Sequence, residues 1–290
     1  MGRSIAACVV SLLLKFRYKP TEEQAEEDLE KLLQSGEMEP PMPEGLPARY
    51  SGRVFYINEN TDSDAVVFYM HGGGYQHDFS SFHWKFLKKV VEQTGAEVIA
   101  PAYRLIPFGT CRDAFELIVP LYREYAVRCQ GKKLILMGDS SGGGLALALA
   151  EYFRAEGIRM PDELILMSPW VDVAMENPEM AAYAKKDPWL TIPWLKVCGR
   201  HWAGTYDVRD YRVSPVYGEI RGMTNVTVFA GTRELFYPDI LKFFNGLDQH
   251  GNRLIIGQDM NHVFPILPIP EAKKYCETIF DTIRRQTDAG

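Results

Sequence analysis

The chain has 290 residues, 46% of them hydrophobic and 24% charged, the balance of an ordinary globular protein with room for one large core. Its net charge of −6, with no long basic block, argues against nucleic acid as a partner. The five cysteines (Cys8, Cys111, Cys129, Cys198 and Cys276) are odd in number and lack C-x-x-C spacing. That excludes a disulfide framework or a zinc site as the first reading and favours reduced thiols in a cytoplasmic protein.

Taken in chain order, the first segment is an apolar run, Ile5 to Leu14, behind Arg3. It is too short to span a bilayer, and Lys15, Phe16, Arg17 and Tyr18 follow it where a signal sequence would place small residues. An amphipathic or buried helix is expected there, with a membrane-surface or substrate-surface contact left open. Thr21 to Leu33 reads as a second helix, N-capped by Thr21 with Glu22 and Glu23 at the positive end of its dipole. Pro40, Pro41, Pro43 and Pro47 then break regular structure, so residues 1–50 are expected to form a helical arm on a stiff linker.

Beyond Tyr50, short apolar runs bounded by Gly, Pro or a charge read as buried strands: Ala65 to Met70, Glu97 to Tyr103, Leu134 to Met137, Leu164 to Met167, Val226 to Ala230 and Arg253 to Ile256. Helical stretches separate or follow them: Phe82 to Gln93, Arg112 to Arg128, Ser141 to Ala155, Asp239 to Gln249 and Glu271 to Arg285. The alternation implies an α/β fold, a mostly parallel central sheet with helices on both faces. Residues 51–171 and 213–290 would form this core. The stretch 172–212, rich in aromatics (Tyr183, Trp189, Trp194, Trp202, Tyr206), breaks the alternation and is expected to fold as a helical cap.

Three loops at strand ends carry chemistry. Gly138-Asp139-Ser140-Ser141-Gly142 sits between an apolar strand and a helix, so Ser140 would occupy a sharp turn that exposes its hydroxyl as a nucleophile. A phosphate loop would want a lysine after its glycines, whereas Gly143 and Gly144 follow here. His71-Gly72-Gly73-Gly74 also follows a strand, and its glycines let backbone N–H groups converge on one oxyanion. Of six histidines, His262 lies in a loop after the last strand, completes the order Ser…acid…His, and is the candidate base. His71 is expected to brace its own loop, and the others to lie on helical or cap segments. The acid comes from Gly231 to Asp239. Glu234, nearest the strand end, is preferred over Asp239, which reads as a helix N-cap.

Together with Tyr103-Arg104-Leu105-Ile106-Pro107, Ser168-Pro169-Trp170, Ser214-Pro215 and His262-Val263-Phe264, these motifs resemble the hormone-sensitive-lipase family of bacterial esterases within the α/β-hydrolase fold. The resemblance covers roughly residues 60 to 270. It implies a cap built from the arm and the insertion, a triad of Ser140, Glu234 and His262, and oxyanion donors on Gly73, Gly74 and Ser141, with Gly72 as an alternative. It implies short-chain, acetyl-like esters as small-molecule substrates, an acyl-enzyme route, and neither cofactor nor metal. An amidase on the same triad and a non-catalytic receptor of the same fold are the competing readings. No integral membrane segment is expected, and a homodimer is admitted. The family usually has Asp where Glu234 stands and Ala where Ser141 stands, and the stretch after Pro107 lacks its glutamate-and-proline pattern.

Overall fold

A computed structural model describes residues 3–285. Helix α1 (Ile5–Lys15) is capped by the Ser4 hydroxyl, and α2 (Glu22–Ser35) opens on a Thr21–Gln24 capping box. The chain then enters an antiparallel hairpin, β1 (Ala48–Ser51) and β2 (Val54–Ile57), before β3 (Ala65–Met70). From there strands and helices alternate: α3 (Ser81–Thr94), β4 (Glu97–Pro101), α4 (Cys111–Arg128), β5 (Lys133–Asp139), α5 (Ser140–Ala155) and β6 (Glu163–Met167). Two helices, α6 (Met180–Ala184) and α7 (Ile192–Ala203), occupy the insertion. The chain finishes with β7 (Val226–Gly231), α8 (Tyr237–Gly246), β8 (Arg253–Gly257) and α9 (Ala272–Arg284).

The eight strands form one sheet in the order β1-β2-β4-β3-β5-β6-β7-β8. From β4 to β8 every pairing is parallel, and only the β1–β2–β4 edge is antiparallel. All residues of β3 and β5 are buried, as strands covered on both faces must be. Alternate side chains separate into two apolar layers. Val66, Phe68 and Leu136 pack with Ile118 and Tyr122 of α4, Leu149 of α5 and Phe243 of α8. Val67, Tyr69 and Met137 pack with Leu87 and Val90 of α3 and Ile279 of α9. The α/β class and the largely parallel sheet follow the sequence reading.

Three details differ from it. The β1–β2 hairpin was not foreseen: its strands are four residues long and β1 alternates half-buried and exposed residues, while the apolar run of β2, Val54 to Ile57, is short. The fourth strand ends at Pro101: Ala102 keeps one bond to the hairpin, its N–H donating to the Arg53 carbonyl at 2.8 Å, and the Tyr103 hydroxyl donates to the His71 carbonyl at 2.6 Å. Asp239 is not an N-cap, since α8 starts at Tyr237 and places Asp239 in its first turn.

The helices outside the alternation are tied to the rest by specific contacts. Ala25 and Leu29 of α2 are buried in the larger apolar layer, and Glu26 pairs with His201 (2.6 Å) and Arg200 (3.0 Å) of α7. The Ser4 hydroxyl at the start of α1 donates to Glu271 at 2.8 Å.

One buried group sits uneasily in this core. Glu151 of α5 is 4% exposed, lies hard against Gly218, and burial pushes its carboxyl up to about 8. The folded-state value exceeds the ordinary 4.5, so the protonated form favours the fold. Its contribution is complete below pH 4.5 and is lost as pH rises through about 8. Urea unfolding of wild type should therefore show stability declining across that window, with a flatter profile for Glu151→Gln. Parallel profiles would contradict this.

Candidate active site

The end of β5 and the start of α5 meet at Ser140, whose φ of 52° lies in the left-handed region. Such a turn brings strand and helix so close that flanking side chains cannot fit. A Cβ on Gly142 would stand 2.1 Å from the Met70 carbonyl oxygen. The turn leaves Ser140 facing a cleft at the carboxyl edge of the sheet, the edge where the β7 and β8 loops also emerge.

Those loops bring two of the foreseen side chains to the serine. His262 Nε2 lies 2.8 Å from Ser140 Oγ, and His262 Nδ1 lies 2.6 Å from Glu234 Oε2. A carboxylate only accepts, so Nδ1 carries the proton and Nε2 is left to accept from the serine hydroxyl. Glu234 is fully buried, and burial pushes its carboxyl up against the opposing pull of His262. Its second oxygen accepts from the Gly231 N–H at 2.6 Å. The imidazole is held on two sides by the edges of Phe236 (5.2 Å between centroids) and Trp189 (5.9 Å). The structure does not bring Asp239 to this cluster: its carboxylate accepts from Asn177 Nδ2 at 2.6 Å, and burial raises it to about 6.

The glycine loop contributes N–H groups of two kinds. Gly72 N–H donates to Asp139 Oδ1 at 2.9 Å, so this alternative oxyanion donor is already committed. Gly73 and Gly74 line the cleft, and among the described residues their N–H groups donate to no protein acceptor. The Ser141 N–H is one of the unpaired donors of the first turn of α5. The Ser141 side chain points elsewhere, its carbonyl and hydroxyl engaged with Tyr75. His71 braces the loop as expected, Nδ1 donating to the Gly72 carbonyl at 2.9 Å while the ring stacks on Tyr103.

Several residues of this site escaped the sequence reading. Asp139 is a buried hub that accepts from Tyr69 Oη (2.6 Å) and Gly72 N–H and faces His83 Nε2 at 3.4 Å. Asp187, in the insertion, is also buried, and its carboxylate accepts from the Leu235 N–H at 2.7 Å, one residue from Glu234. His77 lies on the turn after the glycines and lines the cleft rather than sitting on a helix or in the cap. The cleft has a volume of about 450 Å³, and its walls include Trp194 from α7 and Arg17 and Tyr18 just after α1. The Asp-Pro pair at 187–188 was the one local signal, a turn start; the rest depends on contacts far apart in sequence. Among the described residues no cluster of His, Cys, Asp or Glu could hold a metal ion, and the five cysteines are free.

Burial alone would raise the Asp139 carboxyl, but His83 and the bonds from Tyr69 and Gly72 outweigh it and hold the group below its ordinary 3.8. A depressed value means stability present above the unfolded value and lost as pH falls through the folded one. Asp139→Asn should destabilise the fold by about 1–3 kcal/mol near neutrality. In urea titrations this gap should close as pH drops below 3.8. A gap that is absent at neutral pH, or independent of pH, would contradict the hub role.

Comparison with known proteins agrees with this architecture. A family model described as alpha/beta hydrolase fold matches residues 67–266. An esterase of Acinetobacter venetianus is 29% identical over 207 residues, which is 70% of this chain and 68% of that protein. An acetyl-hydrolase of Streptomyces hygroscopicus is 27% identical over 252 residues, 84% of this chain and 79% of that one. A crystal structure of an esterase from the bacterial hormone-sensitive lipase family superposes with a TM-score of 0.79 at 24% identity, covering 99% of both chains. With a family model spanning most of its sheet, the chain belongs to the α/β-hydrolase fold family.

Proposed function

We propose that this protein is a serine carboxylesterase in which Ser140 is the nucleophile, His262 the general base and Glu234 the group that orients and stabilises the imidazolium. The observation that carries the reading is the single imidazole bridging the other two, 2.8 Å from the hydroxyl and 2.6 Å from a fully buried carboxylate. Relatives named esterase and acetyl-hydrolase support hydrolysis of carboxylic esters.

The route is a two-step acyl transfer. As Ser140 Oγ attacks the ester carbonyl, its proton passes to His262 Nε2, and the imidazolium gains stability from Glu234. Negative charge develops on the carbonyl oxygen, which the N–H groups of Gly73, Gly74 and Ser141 receive. Each well-placed donor contributes roughly 3 kcal/mol to that step. Collapse expels the alcohol, which takes the proton from His262 and leaves an acyl group on Ser140. Water, deprotonated by His262, then attacks the acyl carbon and releases the carboxylic acid. No bound group beyond the protein is required for these steps.

Short acyl groups suit the site. The Trp194 indole closes the space beside the glycine loop, and Gly74 lies so close to it that a Cβ would stand 2.6 Å from it. The arm and the insertion both line the cleft, through Tyr18 and Leu190, and we read residues 1–50 and 172–212 as a cap over the core.

The test is a p-nitrophenyl ester series from acetate upward. Turnover is expected to be best on the short chains, with a burst of p-nitrophenol marking acyl-enzyme formation. Ser140→Ala should abolish it, and Glu234→Gln should cut kcat by about 10⁴-fold while leaving the fold intact. A wild type inert on every ester would overturn the reading and favour a receptor of the same fold. Full activity in Glu234→Gln would assign the acid's role elsewhere.

A further inference from the structure

Helix α1 is turned inside out for a helix packed on a protein. Its buried positions hold small or single apolar residues, Ala7, Ser11 and Leu14. Its larger apolar side chains face away: Ile5 is 84% exposed, Val9 48%, Leu12 54%, Leu13 65% and Phe16 80%. Positions 5, 9, 12 and 16 recur at helical spacing, so these side chains form one stripe opposite the buried face. The arrangement is not a helix detached from the protein. The Ser4 N–H and hydroxyl both bond to Glu271, which fixes the stripe outward. An apolar surface of this kind needs a partner.

Charge decides which partner. Residues 1–21 contain no acid, and Lys15 and Lys19 stand at and just past the end of the helix, on either side of Phe16, both exposed and outside every ion pair among the described residues, while Arg17 between them holds its guanidinium 5.3 Å from the Trp189 ring. The chain as a whole is acidic, so this positive end stands against the general charge. In a symmetric pairing of two copies through this segment, neither copy's residues 1–21 would offer an acid to the cations of the other. An anionic lipid surface meets both requirements, taking the apolar stripe into the acyl boundary and the cations into its headgroup layer.

We infer that the outward face of α1 docks on an anionic membrane surface, lying in its plane without crossing it. Among the described residues no helix is long and apolar enough to cross a membrane. Arg17 and Tyr18, directly after the helix, line the cleft. Docking therefore sets the cleft's mouth beside the lipid, where esters of low solubility collect; that last consequence rests on the carboxylesterase reading, the docking itself does not.

The experiment is vesicle flotation of the full chain with phosphatidylcholine alone and with equal parts phosphatidylcholine and phosphatidylglycerol. Wild type should float with the anionic vesicles and far less with the neutral ones. Leu12→Ser/Phe16→Ser should weaken partitioning by roughly tenfold or more, since burying each such side chain is strongly favourable. Lys15→Ala/Lys19→Ala should weaken it on anionic vesicles and make it less sensitive to salt. All four side chains are exposed, so the variants should unfold at the wild-type temperature. Failure of wild type to float, or flotation unaltered in both variants, overturns the proposal. Light scattering that shows a dimer split by Leu12→Ser/Phe16→Ser also overturns it, in favour of a second copy. None of these readouts requires ester turnover, so an inactive enzyme would leave the result interpretable.

Discussion

A single backbone constraint organises the site. Ser140 stands at a φ of 52° between a strand and a helix, a conformation that costs a non-glycine residue about 1–2 kcal/mol and persists only where its surroundings enforce it. They enforce it from both sides. Gly138 and Gly142 touch, with no space for a Cβ on either, and the Asp139 carboxylate ties the turn to the glycine loop through Gly72. Relaxing the turn would release the serine from the imidazole, the helix N-terminus from the cleft, and the glycine loop from its place beside both. The hydroxyl's position, the donors' direction and the loop's shape are thus one constraint seen three ways.

The rest of the site is built by convergence at the same edge of the sheet. Ser168, just beyond β6, also has a positive φ, and its hydroxyl accepts from the Val263 N–H at 3.0 Å while lying against Glu234. One small polar side chain thereby holds the His262 loop and Glu234 in a common frame. The aromatic edges of Phe236 and Trp189 then limit how the imidazole can tilt. Such a frame keeps reorganisation during a proton transfer small, which is where preorganised sites gain most over water.

How much of this was legible in the sequence depended on the range of the interactions involved. The strands β3 to β7 announced themselves, because a strand buried on both faces must be an unbroken apolar run, whereas β8, expected to be buried, stands at the sheet's edge half-buried with Ile256 exposed. Ser140 and the glycine loop were legible because the turn they make demands particular residues at adjacent positions. The edge hairpin was not: Arg49, Tyr50 and Ser51 of β1 carry little that a loop would not, and the apolar run of β2 is only four residues long. Asp139 stood inside a recognised motif, yet its partners Tyr69 and Gly72 are 70 and 67 residues away, and no local pattern encodes that pairing. Nor could spacing say that Arg17 and Tyr18, at the far end of the chain from His262, would share a cleft with it. The exposed stripe on α1 was half legible: its apolar run was plain, but which side faced outward required the fold.

The bond from Leu235 N–H to the Asp187 carboxylate bears on how such proteins can be recombined. An insertion between two core strands looks like an exchangeable module, to be swapped among relatives for a new specificity. Here the module carries its own buried anchor, set one residue from Glu234 and closed by turns to Trp189 and Leu190, both of which line the cleft. Replacing the segment without Asp187-Pro188-Trp189 would leave a buried N–H unpaired beside the acid and remove an edge that holds the imidazole. The seam for grafting therefore runs through the middle of the insertion, between α6 and the Asp-Pro turn, and not at its ends.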